Sequence, residues 1–243
     1  MKTLIFIHGG ESFSTHAEYL DWIENTYPEW MLDAWAPQEE KSDWKVKIAE
    51  QSVMNGNIVY MPQFPNKLNA KYSEWKIFFD AWIEKIPLSG EIIFIGNSLG
   101  GCFLLKYFSE LSSQDVPFVI PTKEESLSNS SYENLGSFSS IEEEKEILTV
   151  GQKKISIDQI HLLAACISEG NFTPPDNYEF LQKIGNRVHI WHSEDDAVVP
   201  FSVGQELMRI LPEAQIHFFS TEKGYGHFHG IERIPELERE ILK

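Results

Sequence analysis

Cysteine is almost missing from this chain: there are two in 243 residues, Cys102 and Cys166. Two thiols cannot build a disulfide framework, and neither stands in a C-x-x-C pair. Both are expected as small buried apolar residues in a reducing compartment. Long apolar runs are missing too. No stretch approaches the roughly 18 residues of a membrane-spanning helix. The apolar run near the N-terminus, Leu4 to Ile7, is too short for the core of a secretion signal, so a cytoplasmic protein is expected. Positive charge is scarce, with 20 Lys and Arg against 37 Asp and Glu, a formal net charge of −17. That balance sets nucleic acid and anionic membrane surfaces aside as partners, because both would repel the chain. There is no G-x-x-x-x-G-K-[ST] phosphate loop and no H-E-x-x-H, and the eight histidines lack ligand spacing. Gly224-x-Gly226 lacks the next glycine of a dinucleotide site. No metal or organic cofactor is expected.

What is present alternates. Short apolar runs at Thr3–Ile7, Ile58–Met61, Glu91–Ile95, Gln159–Ala165, Arg187–Trp191 and Gln215–Phe219 read as strands. Several are continuously apolar, as strands covered on both faces are. Helical patterns lie between them. Thr15-x-x-Glu18 is a capping box opening a helix to about Trp30. Tyr72, Trp75, Phe79, Trp82, Ile83 and Ile86 form one helical stripe, and Leu99, Phe103, Tyr107 and Leu111 another. Ser202-x-x-Gln205 predicts a further cap, and Ile231–Leu242 a C-terminal helix. This alternation predicts an α/β fold, a parallel sheet between two helical layers, in one domain spanning 1–243. The stretch 112–151 breaks the rhythm with nine serines, Pro117, Pro121 and the acidic run Glu142–Glu144. It reads as a surface insertion, with a hairpin around Gly151.

The residues that could do chemistry sit at strand ends. Gly96-Asn97-Ser98-Leu99-Gly100 comes directly after an apolar strand and directly before a helical stripe. That is the strand–turn–helix setting of a G-x-S-x-G nucleophile elbow, whose strained turn lifts the serine Oγ above the sheet edge. A serine hydroxyl needs a base, and the base needs an orienting acid. Both follow in the order the elbow fold demands. Asp195 and Asp196 come after the fifth strand, and His227 and His229 after the sixth. The backbone N–H of Leu99 is one candidate oxyanion donor. The second should come from the loop Ile7-His8-Gly9-Gly10-Glu11, with Gly10 favoured and Glu11 next; His8 orients that loop. The seven tryptophans read as packing residues, although Trp35 and Trp44 could line an acyl pocket.

Ile7-His8-Gly9-Gly10, Gly96-Asn97-Ser98-Leu99-Gly100-Gly101, Asp195-Asp196-Ala197-Val198-Val199-Pro200 and Gly226-His227-Phe228 together resemble the α/β-hydrolase superfamily. Within it they are most similar to the small serine hydrolases of the YdeN and retinoblastoma-binding protein nine family. The resemblance spans most of the chain except Ser112–Gly151 and parts of Met31–Asn57. It selects Asp196, by its distance from Pro200, and His227, by its Gly-His-Phe setting. It implies six parallel strands in the order 2-1-3-4-5-6, without the N-terminal antiparallel hairpin of larger hydrolases. It also implies a serine hydrolase cleaving an ester or similar acyl bond of a small substrate. Two alternatives stand beside this: an amidase or peptidase with the same triad, and an interaction protein that keeps the fold with little turnover.

Overall fold

The computed structural model describes residues 1–26, 43–111, 147–150, 153–175 and 177–243. In chain order the elements are β1 (Lys2–Ile7), α1 (His16–Asn25), α2 (Trp44–Met54), β2 (Ile58–Tyr60), α3 (Tyr72–Ile83), β3 (Glu91–Asn97), α4 (Leu99–Ser109), β4 (Ile147–Val150), β5 (Lys153–Ser156), β6 (Gln159–Leu163), α5 (Glu179–Lys183), β7 (Val188–Ser193), α6 (Phe201–Ile210), β8 (Gln215–Phe219) and α7 (Pro235–Ile241). Six strands form one sheet in the order β2-β1-β3-β6-β7-β8, and every neighbouring pair in it is parallel. Counting only these six, the order is the expected 2-1-3-4-5-6.

The sheet is central because its strands are apolar on both sides. On β1, Leu4 and Phe6 enter one core and Ile5 and Ile7 the other; on β3, Ile93 and Ile95 join the first and Ile92 and Phe94 the second. The larger core takes α3, α4, α5 and α6. The smaller takes Trp44 and Ile48 of α2 and Leu237 and Ile241 of α7. Rings lock α3 to α4: Phe79 lies 5.4 Å from Phe103 and 5.0 Å from Tyr107, largely edge to face. Of the tryptophans, Trp44, Trp75 and Trp191 are buried to within 1%. Both cysteines are free and buried.

Several expectations need correction. The Thr15–Glu18 capping box is present in both directions, but α1 ends at Asn25, short of Trp30. Trp30 and Trp35 lie outside the described residues. Ser202 does not cap α6, because Pro200 is the N-cap residue and Ser202 falls inside the helix. The C-terminal helix starts at Pro235 rather than Ile231, with proline in its usual first-turn position. Trp44 opens α2 after Asp43, whose carboxylate accepts the Lys45 amide. The insertion falls mostly outside the described residues, but the hairpin expected around Gly151 is present. β4 and β5 pair antiparallel, and Val150 and Ile155 are buried in the larger core. The hairpin therefore belongs to the packed body. Among the described residues no helix is long and apolar enough to cross a membrane.

Candidate active site

The loops after β1, β3, β6, β7 and β8 leave the carboxyl edge of the parallel sheet and carry the candidate site. The loop after β3 is the tightest. Ser98 takes φ 54° and ψ −125° and immediately starts α4, a backbone conformation that costs a non-glycine residue about 1–3 kcal/mol. Its amide donates to the Leu163 carbonyl at 2.8 Å, so β6 holds the strained turn in place. The flanking glycines answer a space requirement. A Cβ at Gly96 would meet the Gly100 carbonyl at 2.6 Å, and one at Gly100 would meet the Ile7 carbonyl at 2.2 Å. Strand, helix and the loop after β1 cross too closely for any side chain there.

The loop after β1 lies against the serine. A Cβ built at Gly9 would sit 3.2 Å from Ser98 Cβ and 3.6 Å from its Oγ. His8 sets this loop, as expected. Its Nε2 accepts the Phe64 amide at 2.9 Å, so Nδ1 carries the proton and donates to the Gly9 carbonyl at 2.7 Å. Burial pushes His8 below its ordinary value, against the pull of that carbonyl, and keeps it neutral. Glu11 is excluded as an oxyanion donor. Its amide already donates to the Lys67 carbonyl at 2.8 Å and its carbonyl accepts from Ala70. That leaves Gly10, packed so closely on Lys67 that a Cβ would come within 2.4 Å of the Lys67 carbonyl. Leu99 is the first residue of α4, so its amide has no intrahelical acceptor.

The candidate acid Asp196 and the candidate base His227 meet across 31 residues. His227 Nδ1 lies 2.9 Å from Asp196 Oδ2 and 3.1 Å from Oδ1. The Asp196 side chain is fully buried, and that of His227 is 17% exposed. Asp196 Oδ1 also accepts the amides of Val198 and Val199, each at 2.8 Å. Burial pushes this carboxyl up, but the His227 hydrogen bond and the two amides outweigh it, and the group titrates below its ordinary value. It is a carboxylate at neutral pH, which requires the proton of a neutral His227 to sit on Nδ1 and leaves Nε2 bare. The base is carried on a distorted loop: Gly226 has φ 48° and Phe228 φ 54°. Phe228 tolerates this because its ring is wholly buried. Its amide also donates to Tyr225, and its carbonyl accepts Trp44 Nε1 at 2.9 Å. Among the described residues no hydrogen bond of the Ser98 hydroxyl is found. Such contacts are commonly long without substrate.

Asp195 does more than cap a turn. Its Oδ1 accepts the Ser193 hydroxyl and, at 3.0 Å, the Gly226 amide, tying the loop after β7 to the residue just before His227. His229 is exposed. Glu169, in the loop after β6, had no local signal in the sequence. Burial pushes its carboxyl up, and so does burial for Glu11, where Glu169 adds repulsion; His227 draws both back. Glu11 and Glu169 thus bring the loops after β1 and β6 within electrostatic reach of the base. Beside this edge a cavity of about 40 Å3 is lined by Phe6, Trp44, Met61, Pro62, Ile95 and Asn97.

No protein-family profile matches the chain, and no curated protein matches it in sequence. Solved structures do. The ydeN gene product of B. subtilis superposes with a TM-score of 0.58 at 13% identity, covering 100% of this chain and 97% of that one. A YdeN-like hydrolase from Pectobacterium atrosepticum gives 0.49 at 10% identity, with 98% and 88% covered. Est1E from Butyrivibrio proteoclasticus, solved with ferulic acid bound, gives 0.49 at 12%, with 100% and 88% covered. The chain has the α/β-hydrolase fold and resembles YdeN over its whole length.

Proposed function

We propose that this chain is a serine hydrolase, a single catalytic domain that cleaves a carboxylic ester or similar acyl bond of a small substrate. Ser98 is the nucleophile, His227 the base and Asp196 the orienting acid. The observation that carries the reading is the buried Asp196–His227 pair, 2.9 Å at Nδ1, standing at the same sheet edge as a strained serine elbow. A carboxylate on Nδ1 leaves Nε2 free to accept the Ser98 proton as Oγ attacks the carbonyl, and then stabilises the imidazolium. The amides of Leu99 and Gly10 receive the developing oxyanion, an interaction worth about 3 kcal/mol per donor in such sites. His227 returns the proton to the leaving alcohol, and water releases the acyl group by the reverse sequence. A scaffold used only for docking has no use for the cost of a strained serine or of a buried carboxylate held for an imidazole.

Fluorophosphonate labelling tests the proposal. The wild-type chain should label and Ser98→Ala should not. A folded wild type that stays unlabelled rejects it. Matched ester and amide substrates then separate an esterase from an amidase; equal or faster amide turnover rejects the ester preference.

A further inference from the structure

Asp196 rests against a second histidine that the triad does not use. His192, near the end of β7, is wholly buried. Its Nε2 lies 2.9 Å from the Val199 carbonyl, and a carbonyl only accepts, so Nε2 carries the proton and donates. Nδ1 is then a bare acceptor. It is buried, has no hydrogen-bond partner among the described residues, and presses on Gly204, where a Cβ would come within 2.9 Å of it. A phenyl ring would fill the same space without stranding a buried polar atom. The physical reason for an imidazole here lies with its other nitrogen. Val199 is pinned at both ends: its carbonyl by His192, its amide by Asp196 Oδ1 at 2.8 Å. The same Nε2 faces Asp196 Oδ2 at 3.7 Å. That is too long for a hydrogen bond but close enough for the N–H dipole to favour the carboxylate.

We propose that His192 is a positioning residue for the Asp196–His227 pair: it clamps the 196–199 turn and presents an N–H dipole behind the carboxylate, so that Asp196 meets Nδ1 of His227 in one orientation. Burial pushes His192 below its ordinary value, against the pull of the Val199 carbonyl and Asp196, so it does this as a neutral ring. The titratable groups facing His227 are Asp196, Glu11, Glu169 and His192 itself; His192 is neutral, so replacing it removes no charge. The effect on turnover rests on the hydrolase reading; the effect on the Asp196–His227 hydrogen bond does not.

The test compares His192→Phe, which keeps the ring and loses the donor, with His192→Gln, whose amide can still donate to Val199. His192→Leu replaces the Phe variant if that chain does not fold. Two readouts are taken on the full chain: the downfield proton resonance of His227 Nδ1, followed with pH, and the hydrolysis of p-nitrophenyl acetate. In the Phe variant the resonance should move upfield and exchange faster with water. The acid limb of kcat/KM should shift to lower pH, and kcat should fall about tenfold to a hundredfold with KM nearly unchanged. The Gln variant should recover most of the loss. An unchanged resonance and pH profile in a folded Phe or Leu variant overturns the proposal, as does a Gln variant no better than Phe. If the wild type does not turn over the ester while the resonance still responds to residue 192, the hydrolase reading fails and the positioning role stands.

Discussion

Asp196 and Asp195 are neighbours in the chain with different work. Asp196 turns its carboxylate to the imidazole of His227, and Asp195 turns its own to the amide of Gly226. On the proposed reading one orients the base, and the other anchors the loop that carries it. The substitution that isolates the first role is Asp196→Asn. The amide fits the same space, but its NH2 group cannot accept the Nδ1 proton, so the neutral tautomer that leaves Nε2 bare loses its partner. We expect kcat on p-nitrophenyl acetate to fall on the order of 10³- to 10⁴-fold, with KM little changed, in stopped-time assays of the folded variant. A loss below tenfold would reassign the orienting acid. Which aspartate faces the imidazole was legible only through the family resemblance, which picks it by its distance from Pro200, because two adjacent carboxylates carry the same chemistry until a backbone aims them.

At the scale of single elements, α1 and α4 are opposites. α4 buries nearly every residue from Leu99 to Ser109, and tertiary packing holds it. α1 buries none fully, so it leans on its own ends. Its Thr15–Glu18 capping box satisfies the Glu18 amide and the Thr15 amide together. Thr15→Ala should cost about 1 kcal/mol, felt locally. Amide exchange within α1 should quicken about fivefold, while the urea midpoint of the whole chain stays put. A shift of the global midpoint would mean that α1 is part of the cooperative core. The box was legible because both partners are three residues apart. The false cap at Ser202 shows the limit of such a signal: Pro200 sets φ for the turn and the helix starts before the serine can cap it.

Across the whole molecule, strands β6, β7 and β8 stack three histidines beneath the smaller core. His161 and His189 rings are 4.4 Å apart, and His189 and His217 5.4 Å. Trp191 Nε1 donates to His161 Nδ1 at 3.1 Å, and His189 Nδ1 and His217 Nε2 share one proton at 3.1 Å. Burial pushes all three down, His189 to about 4, and repulsion from the neighbouring rings adds to it for His161 and His189; Lys2, Lys243 and Glu240 are the charged groups that face them. The folded state therefore refuses protons that the unfolded chain takes up below its value of 6.5. This part of the stability is complete above about pH 6.5 and is lost as pH falls toward 4. Falling pH also relieves the −17 charge, so the contrast between chains is the informative quantity. Between pH 7 and 5 the wild type should lose more Tm than His189→Gln does, and equal losses would contradict the assignment. The small cavity lined by Trp44, Met61 and Asn97, the residue before Ser98, is about 40 Å3 and has room for about one methyl or ethyl group. Acetyl and propionyl esters should accordingly outrun octanoyl esters, and a profile rising with chain length would exclude that cavity as the acyl site.

The sequence by itself determined the six sheet strands and their order in the chain, because continuous apolar runs depend on neighbours a few residues away. It also marked the elbow, since Gly96 is demanded by the local crossing of strand and helix, whereas Gly100 answers to the loop after β1. Only the tertiary structure decided what depends on distant backbone. The Lys67 carbonyl takes the Glu11 amide and removes Glu11 from the oxyanion site. The Val199 carbonyl gives His192 a tautomer, and Trp44 reaches across 184 residues to the carbonyl of the residue after His227. A hydrogen bond between groups so far apart in the chain leaves no periodicity in the sequence, because its partner is chosen by the fold and not by spacing.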